Sequence, residues 1–205
     1  MSRVGHVVEG RGRCERRYCR GVITVDQASR LAESLLAESL LRRWHHVRSV
    51  GRRARRVART LELPDDLVAA AWLHDIGYAP ELVATGFHPL DGARYLRRIG
   101  ADDRVARLVA HHSCAVYEAR VRGLEQDLLA EFVPEESLTY DALVFCDMTV
   151  GPDGEEISFE DRVREVYQRY GEGDIAQALN MAEPCLKAAV DRVAQAMNAS
   201  DCPER

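Results

Sequence analysis

Leu67-Val68-Ala69-Ala70-Ala71-Trp72-Leu73-His74-Asp75-Ile76-Gly77 is the stretch that decides the fold. Seven apolar, helix-forming residues end in an imidazole beside a carboxylate, and a glycine follows two residues later. Burying such groups is costly unless something pairs with them. A divalent metal is one such partner, because neutral imidazole and carboxylate both ligate it. A helix C-terminus leaving the core is the plainer account of the doublet alone, so the flanking sequence has to decide.

Upstream, Pro64 with Asp65-Asp66 opens the helix that His74-Asp75 closes, with acid in its first turn as the helix dipole favours. Before it, a helix is expected from about Arg43 to Leu61. Val47, Val50, Ala54, Val57, Ala58 and Leu61 recur there at spacings of three and four, and most of the arginines fall on the other side as a solvated face. Thr24 and Gln27 form a capping box that opens a first helix, Val25 to Leu40.

Downstream, Pro89 starts a helix to about Ile99, and Asp102-Asp103 opens another that ends at His111-His112. A less regular stretch with Pro134 follows Gly123. Leu138 to Met148 is expected as a buried helix, Gly151-Pro152-Asp153-Gly154 as a turn, and Phe159–Tyr170 and Ala176–Met197 as the last two helices. With no repeats, strand alternation or interior linker, the expectation is one all-α domain over 23–200. A mobile basic leader, 1–22, precedes it, and a disordered tail, 201–205, follows it.

The bulk properties exclude several classes. A net charge of −5 carries no overall nucleic-acid signature. No apolar run approaches a membrane span, and the arginine-rich leader lacks the apolar core of an export signal. The six cysteines show no framework spacing, so reduced thiols in a cytoplasmic protein are expected.

The remaining polar signal is a set of histidines and aspartates near helix ends. His46 lies on the second helix, His74-Asp75 ends the third, His88 precedes the fourth, His111-His112 ends the fifth, and Asp147 ends the apolar segment from Leu138. Helical bundles build metal sites from inward side chains on facing helices. Mixed imidazole and carboxylate ligands suit Mn, Fe, Co, Ni or Zn. Arg43 precedes His46 by nearly one turn, so it shares a face with it, or it is a surface arginine. His45 points about 100° away around the helix. His88 fits either a ligand or an N-cap before Pro89.

The order Arg43-x-x-His46, then His74-Asp75, then Asp147, resembles the HD-domain metal-dependent phosphohydrolases. Trp44-His45-His46-Val47-Arg48-Ser49-Val50, Leu73-His74-Asp75-Ile76-Gly77 and Phe145-Cys146-Asp147 are similar to that family's ligand segments, and the likeness covers about residues 25–170. It implies an HD-type helical bundle with a metal site at helix ends, holding one or two ions. The pattern is nearest to the dinuclear branch. There His88, in His88-Pro89-Leu90-Asp91-Gly92-Ala93, and His112, with His111 as the alternative, would complete the set of His46, His74, Asp75 and Asp147, with Asp75 as the bridge.

The implied activity is hydrolysis of a phosphomonoester or phosphoanhydride by metal-activated water, on a small nucleotide or dinucleotide. Asp75 would act at the reacting centre, with Arg43 and His111 beside the phosphate. Two departures stand out. Tyr78 occupies the place where the dinuclear branch carries a lysine, and Ser113-Cys114-Ala115 stands where cyclic-dinucleotide phosphodiesterases carry Gly-Tyr-Pro. The rival expectations are a di-iron oxygenase on the same scaffold and a non-catalytic, metal-stabilised signalling domain.

Overall fold

The third helix, α3 (Asp65–Leu73), organises the bundle, and its sequence explains why. Leu67, Val68, Ala69, Ala70, Ala71 and Leu73 are all buried, so α3 is apolar on every face. A helix of that kind has to be covered all round. In the computed structural model, which describes residues 21–200, four helices cover it: α1 (Val25–Leu36), α2 (Leu41–Thr60), α5 (Asp103–His111) and α8 (Leu138–Met148). The alanines of α3 give these neighbours room to approach. Gly51 of α2 serves the same contact, since a Cβ there would lie 2.6 Å from the Trp72 ring.

The outer helices follow simple amphipathic logic. α2 turns His46, Val47, Val50, Gly51, Ala54, Val57 and Ala58 inward. α8 is buried along nearly its whole length and lies between α3 and the long last helix, α10 (Asp174–Ser200). α4 (His88–Arg98) packs on α5, and α9 (Phe159–Tyr170) packs on α10. Two short 3-10 turns, Ile76–Tyr78 and His112–Cys114, follow α3 and α5. The architecture is therefore all-α, as expected. Among the described residues the β structure amounts to a single antiparallel bridge, Val150 to Glu156, across the expected turn.

Three expectations need correcting. α1 stops at Leu36, and α2 starts at Leu41. The exposed Glu38 and Ser39 have no core to follow, so the chain turns there. Two short helices were not expected, α6 (Val116–Val121) just before Gly123 and α7 (Glu125–Glu131) inside the irregular stretch. Each buries a single anchor, Ala119 or Leu128, and one anchor leaves no periodic signal. Apart from Gly21 and Val22, the leader and the tail lie outside the described residues. No described helix is long and apolar enough to cross a membrane.

Leu73 is fully buried one residue before the doublet. Truncating it removes packing at the end of α3, where relaxation is limited by the surrounding helices. Leu73→Ala is expected to lower unfolding free energy by about 3 kcal/mol in urea titration. A loss below about 1 kcal/mol would contradict the covered-helix account.

Candidate metal centre

α3 ends where the polar cluster begins. His74 keeps helical geometry, Asp75 leaves it at φ −105° and ψ 6°, and the Ile76–Tyr78 turn takes over. His74 Nδ1 lies 2.9 Å from the Ala71 carbonyl. A carbonyl only accepts, so Nδ1 carries a proton and Nε2 is the nitrogen turned towards the carboxylates. Two more histidines repeat the device. His112 Nδ1 donates to Val109 O at 2.7 Å, and His46 Nδ1 donates to Gly151 O at 3.0 Å. Metal-ligating histidines are oriented in this way, with the outer nitrogen held by a carbonyl and the inner one free.

The inner nitrogens converge on two carboxylates. His46 Nε2 is 2.9 Å from Asp147 Oδ1, and His74 Nε2 is 3.7 Å from the same oxygen. Asp75 divides its oxygens. Oδ2 accepts from Arg43 Nη1 at 2.7 Å and lies 3.4 Å from His74 Nε2. Oδ1 lies 3.3 Å from His88 Nε2 and 3.8 Å from His112 Nε2. Two sets of potential ligand atoms result, each mutually within 4.8 Å: His46, His74 and Asp75, and Asp75, His88 and His112. Asp75 belongs to both.

The donor chemistry fits divalent ions. His74 Nε2 is buried and has no hydrogen-bond partner among the described residues, an arrangement that is costly without a cation. His88 Nε2 and His112 Nε2 face each other at 3.2 Å. Burial opposes the charge of Asp75, but Arg43 and His74 outweigh it and hold the carboxyl well below its usual range. Burial likewise opposes ionisation of Asp147, and the hydrogen bond from His46 with the charge of His74 reverses that. His74 itself is lifted to about 9, because Asp75 and Asp147 overcome its desolvation. Burial, with His74 and His88 nearby, pushes His112 down to about 3 and keeps it neutral. The centre thus holds ionised carboxylates and a neutral imidazole, the states in which they ligate metal.

Two glycine and aspartate devices place His88. A Cβ on Gly77 would lie 2.0 Å from the His88 carbonyl, so the turn after the doublet can pass α4 only with glycine there. Asp91, buried on α4, accepts from the backbone N–H groups of Ala84, Thr85 and Gly86 and ties the preceding loop down. The N-cap of α4 is Phe87, which leaves His88 free for the cluster.

The sequence matches the HD domain family over residues 43–166. The chain belongs to the HD domain family. The matched span begins at Arg43 and takes in every histidine and aspartate of the cluster. No curated protein and no solved structure matches the chain.

In this HD domain, one expected residue stands apart. His111 Nε2 bonds the Phe132 carbonyl at 2.7 Å, burial lowers its pKa, and it neither joins the cluster nor lines the cleft above it. Its placement beside a phosphate is therefore corrected. At the end of α5 the chain turns out of the helix between His111 and His112, so adjacent residues point to different places.

The HD centre forms the floor of a cleft whose walls include Arg43, Tyr78, Ser113, Arg162, Arg169 and Tyr170. Ser113 donates its hydroxyl to Asp147 Oδ2 and leaves Oδ1 facing the histidines. Tyr78 stacks on His88 with ring centroids 4.0 Å apart, and the Arg43 guanidinium lies 4.1 Å from the centroid of the Tyr78 ring. Arg162 and Arg169 were not anticipated. Their signal was available: with Val166 they sit at i, i+4 and i+7 on α9, which is one helix face.

Gly77→Ala is expected to destabilise the fold by about 2 kcal/mol, since backbone rather than a flexible side chain must yield. Thermal unfolding checks this, and an unchanged midpoint would contradict the close approach of Gly77 to α4.

Proposed function

We propose that this HD domain is a metal-dependent phosphohydrolase that uses two divalent ions on a small phosphorylated molecule, a nucleotide or dinucleotide in class. The observation that carries the proposal is the division of Asp75 between two histidine sets. His46, His74, Asp75 and Asp147 would hold one ion, and Asp75, His88 and His112 the other. Mn, Fe, Co, Ni and Zn are the candidates for this donor set. Bound ions of this kind acidify water and polarise a phosphoryl oxygen.

The chain's own residues do the rest. Arg43 stands on the cleft wall beside the centre with one guanidinium nitrogen on Asp75. It supplies the cation for the reacting phosphate that residue 78, a tyrosine, does not. Tyr78 holds that guanidinium and the His88 ring in a single stack. Burial, with Asp75 nearby, raises the Tyr78 phenol pKa, so it stays protonated and can donate to a phosphate oxygen. Ser113 steadies Asp147.

An open cleft over the ligands supports an enzyme rather than a purely structural metal site. The arginine at the cleft favours phosphate chemistry over oxygen chemistry on the same scaffold.

The full chain, reconstituted separately with each ion, is expected to release phosphate from members of a nucleotide and dinucleotide panel. His74→Ala should lose turnover and bound metal together. Arg43→Ala should keep its metal and lose roughly a hundredfold in kcat/KM. Oxygen consumption by an iron-loaded protein that releases no phosphate with any ion would contradict the proposal.

A further inference from the structure

A second recess adjoins the cleft and shares three of its arginines. Arg42, Arg43, Arg162 and Arg169 line it, together with Leu40, Leu41, His46 and Pro152, and no carboxylate does. Arg43, Arg162 and Arg169 also line the cleft, so they form a common wall between the two spaces. Such a concentration of one charge is unfavourable unless anions answer it.

The carboxylates nearby answer it only in part. Glu165 is shared between Arg162 and Arg169. Asp153 holds Arg42 in a pair that is mostly exposed, which contributes little. Asp75 holds Arg43 and is also the carboxylate common to both histidine sets.

Arg162 is only 6% exposed, yet its Nε has no hydrogen-bond partner among the described residues, and neither does that of Arg169. Arg48, Arg53 and Arg107 carry the same unpartnered nitrogen, so this alone marks no site. What distinguishes Arg162 and Arg169 is that both face cavities already lined by further arginines. The spacing of Arg162 and Arg169 on α9 presents both guanidinium groups to one side. Planar guanidinium forks suit phosphate oxygens better than any other side chain does.

We infer that this recess is a second anion subsite, which takes a phosphate group of the substrate other than the one that reacts. The inference rests on the phosphohydrolase proposal and narrows it to substrates with at least two phosphate groups. The reacting phosphate lies over Asp75 beside Arg43, and the other lies between Arg42, Arg162 and Arg169. Arg162 and Arg169 act as specificity residues that do not touch the ligand set.

The test uses the full chain with its metal, in wild-type and Arg169→Gln forms. Arg42→Gln serves as a second variant outside α9, because Arg162 is buried and its loss endangers folding. In isothermal titration, pyrophosphate is expected to bind wild type at least tenfold more tightly than inorganic phosphate does. Both variants should lose most of that advantage while keeping wild-type metal content.

In turnover, the ratio of kcat/KM for a nucleoside bisphosphate to that for the matching monophosphate should fall at least tenfold in Arg169→Gln. An unchanged ratio would overturn the inference, as would an equal loss on both substrates. If no phosphoester is turned over but the pyrophosphate advantage depends on Arg169, the subsite stands and the phosphohydrolase proposal fails.

Discussion

The carboxylate of Asp75 sits at the end of a helix that is apolar on every side, and it stays ionised there. Desolvation alone would neutralise it. Arg43 and His74 on one oxygen supply the opposing field, a hydrogen bond from His88 to the other adds to it, and the neutral His112 ring faces that second oxygen. Each of these partners comes from a different element. The carboxylate therefore requires α2, α3, the start of α4 and the end of α5 to meet at one point, and the bundle is arranged so that they do.

The surrounding helices contribute more than packing. Carbonyls at Ala71 and Val109 fix the tautomers of His74 and His112 within their own helix ends, and the Gly151 carbonyl does so for His46 from the turn after α8. These bonds need no further side chains. They follow from where each helix stops, so the termination signals of α3 and α5 are part of the site. Gly77 belongs to the same logic, because it lets the chain leave the doublet while passing against the His88 carbonyl.

Much of this was legible in the sequence. The apolar run of α3, the periodicity of α2 and the apolar segment of α8 pointed to the all-α bundle, and the resemblance of their order and context to the HD family pointed to His46, His74, Asp75 and Asp147 as neighbours. Other features were out of reach. Whether His111 or His112 faces inward depends on a backbone turn between them that adjacent residue types do not encode. The carbonyl behind His46 comes from a residue 105 positions away. Ordinary helix periodicity could have flagged Arg162 and Arg169, but it could not say that their face meets the cleft. α6 and α7 each hang on one buried residue, too little for a pattern. The close approach of Cys114 and Cys185, with Sγ atoms 2.7 Å apart, is likewise a product of folding and not of spacing.

The substitution of tyrosine at position 78 has a structural answer. Arg43 lies over the Tyr78 ring, where under the proposed function it would be the phosphate-side cation, while the ring itself stacks on His88. The central claim remains that Asp75 joins two ion positions. An anomalous-scattering map from metal-loaded crystals tests it most directly. The account predicts two peaks, one among His46, His74 and Asp147 and one beside His88 and His112, each against a different oxygen of Asp75. A single peak, or two peaks that do not share Asp75, would contradict it.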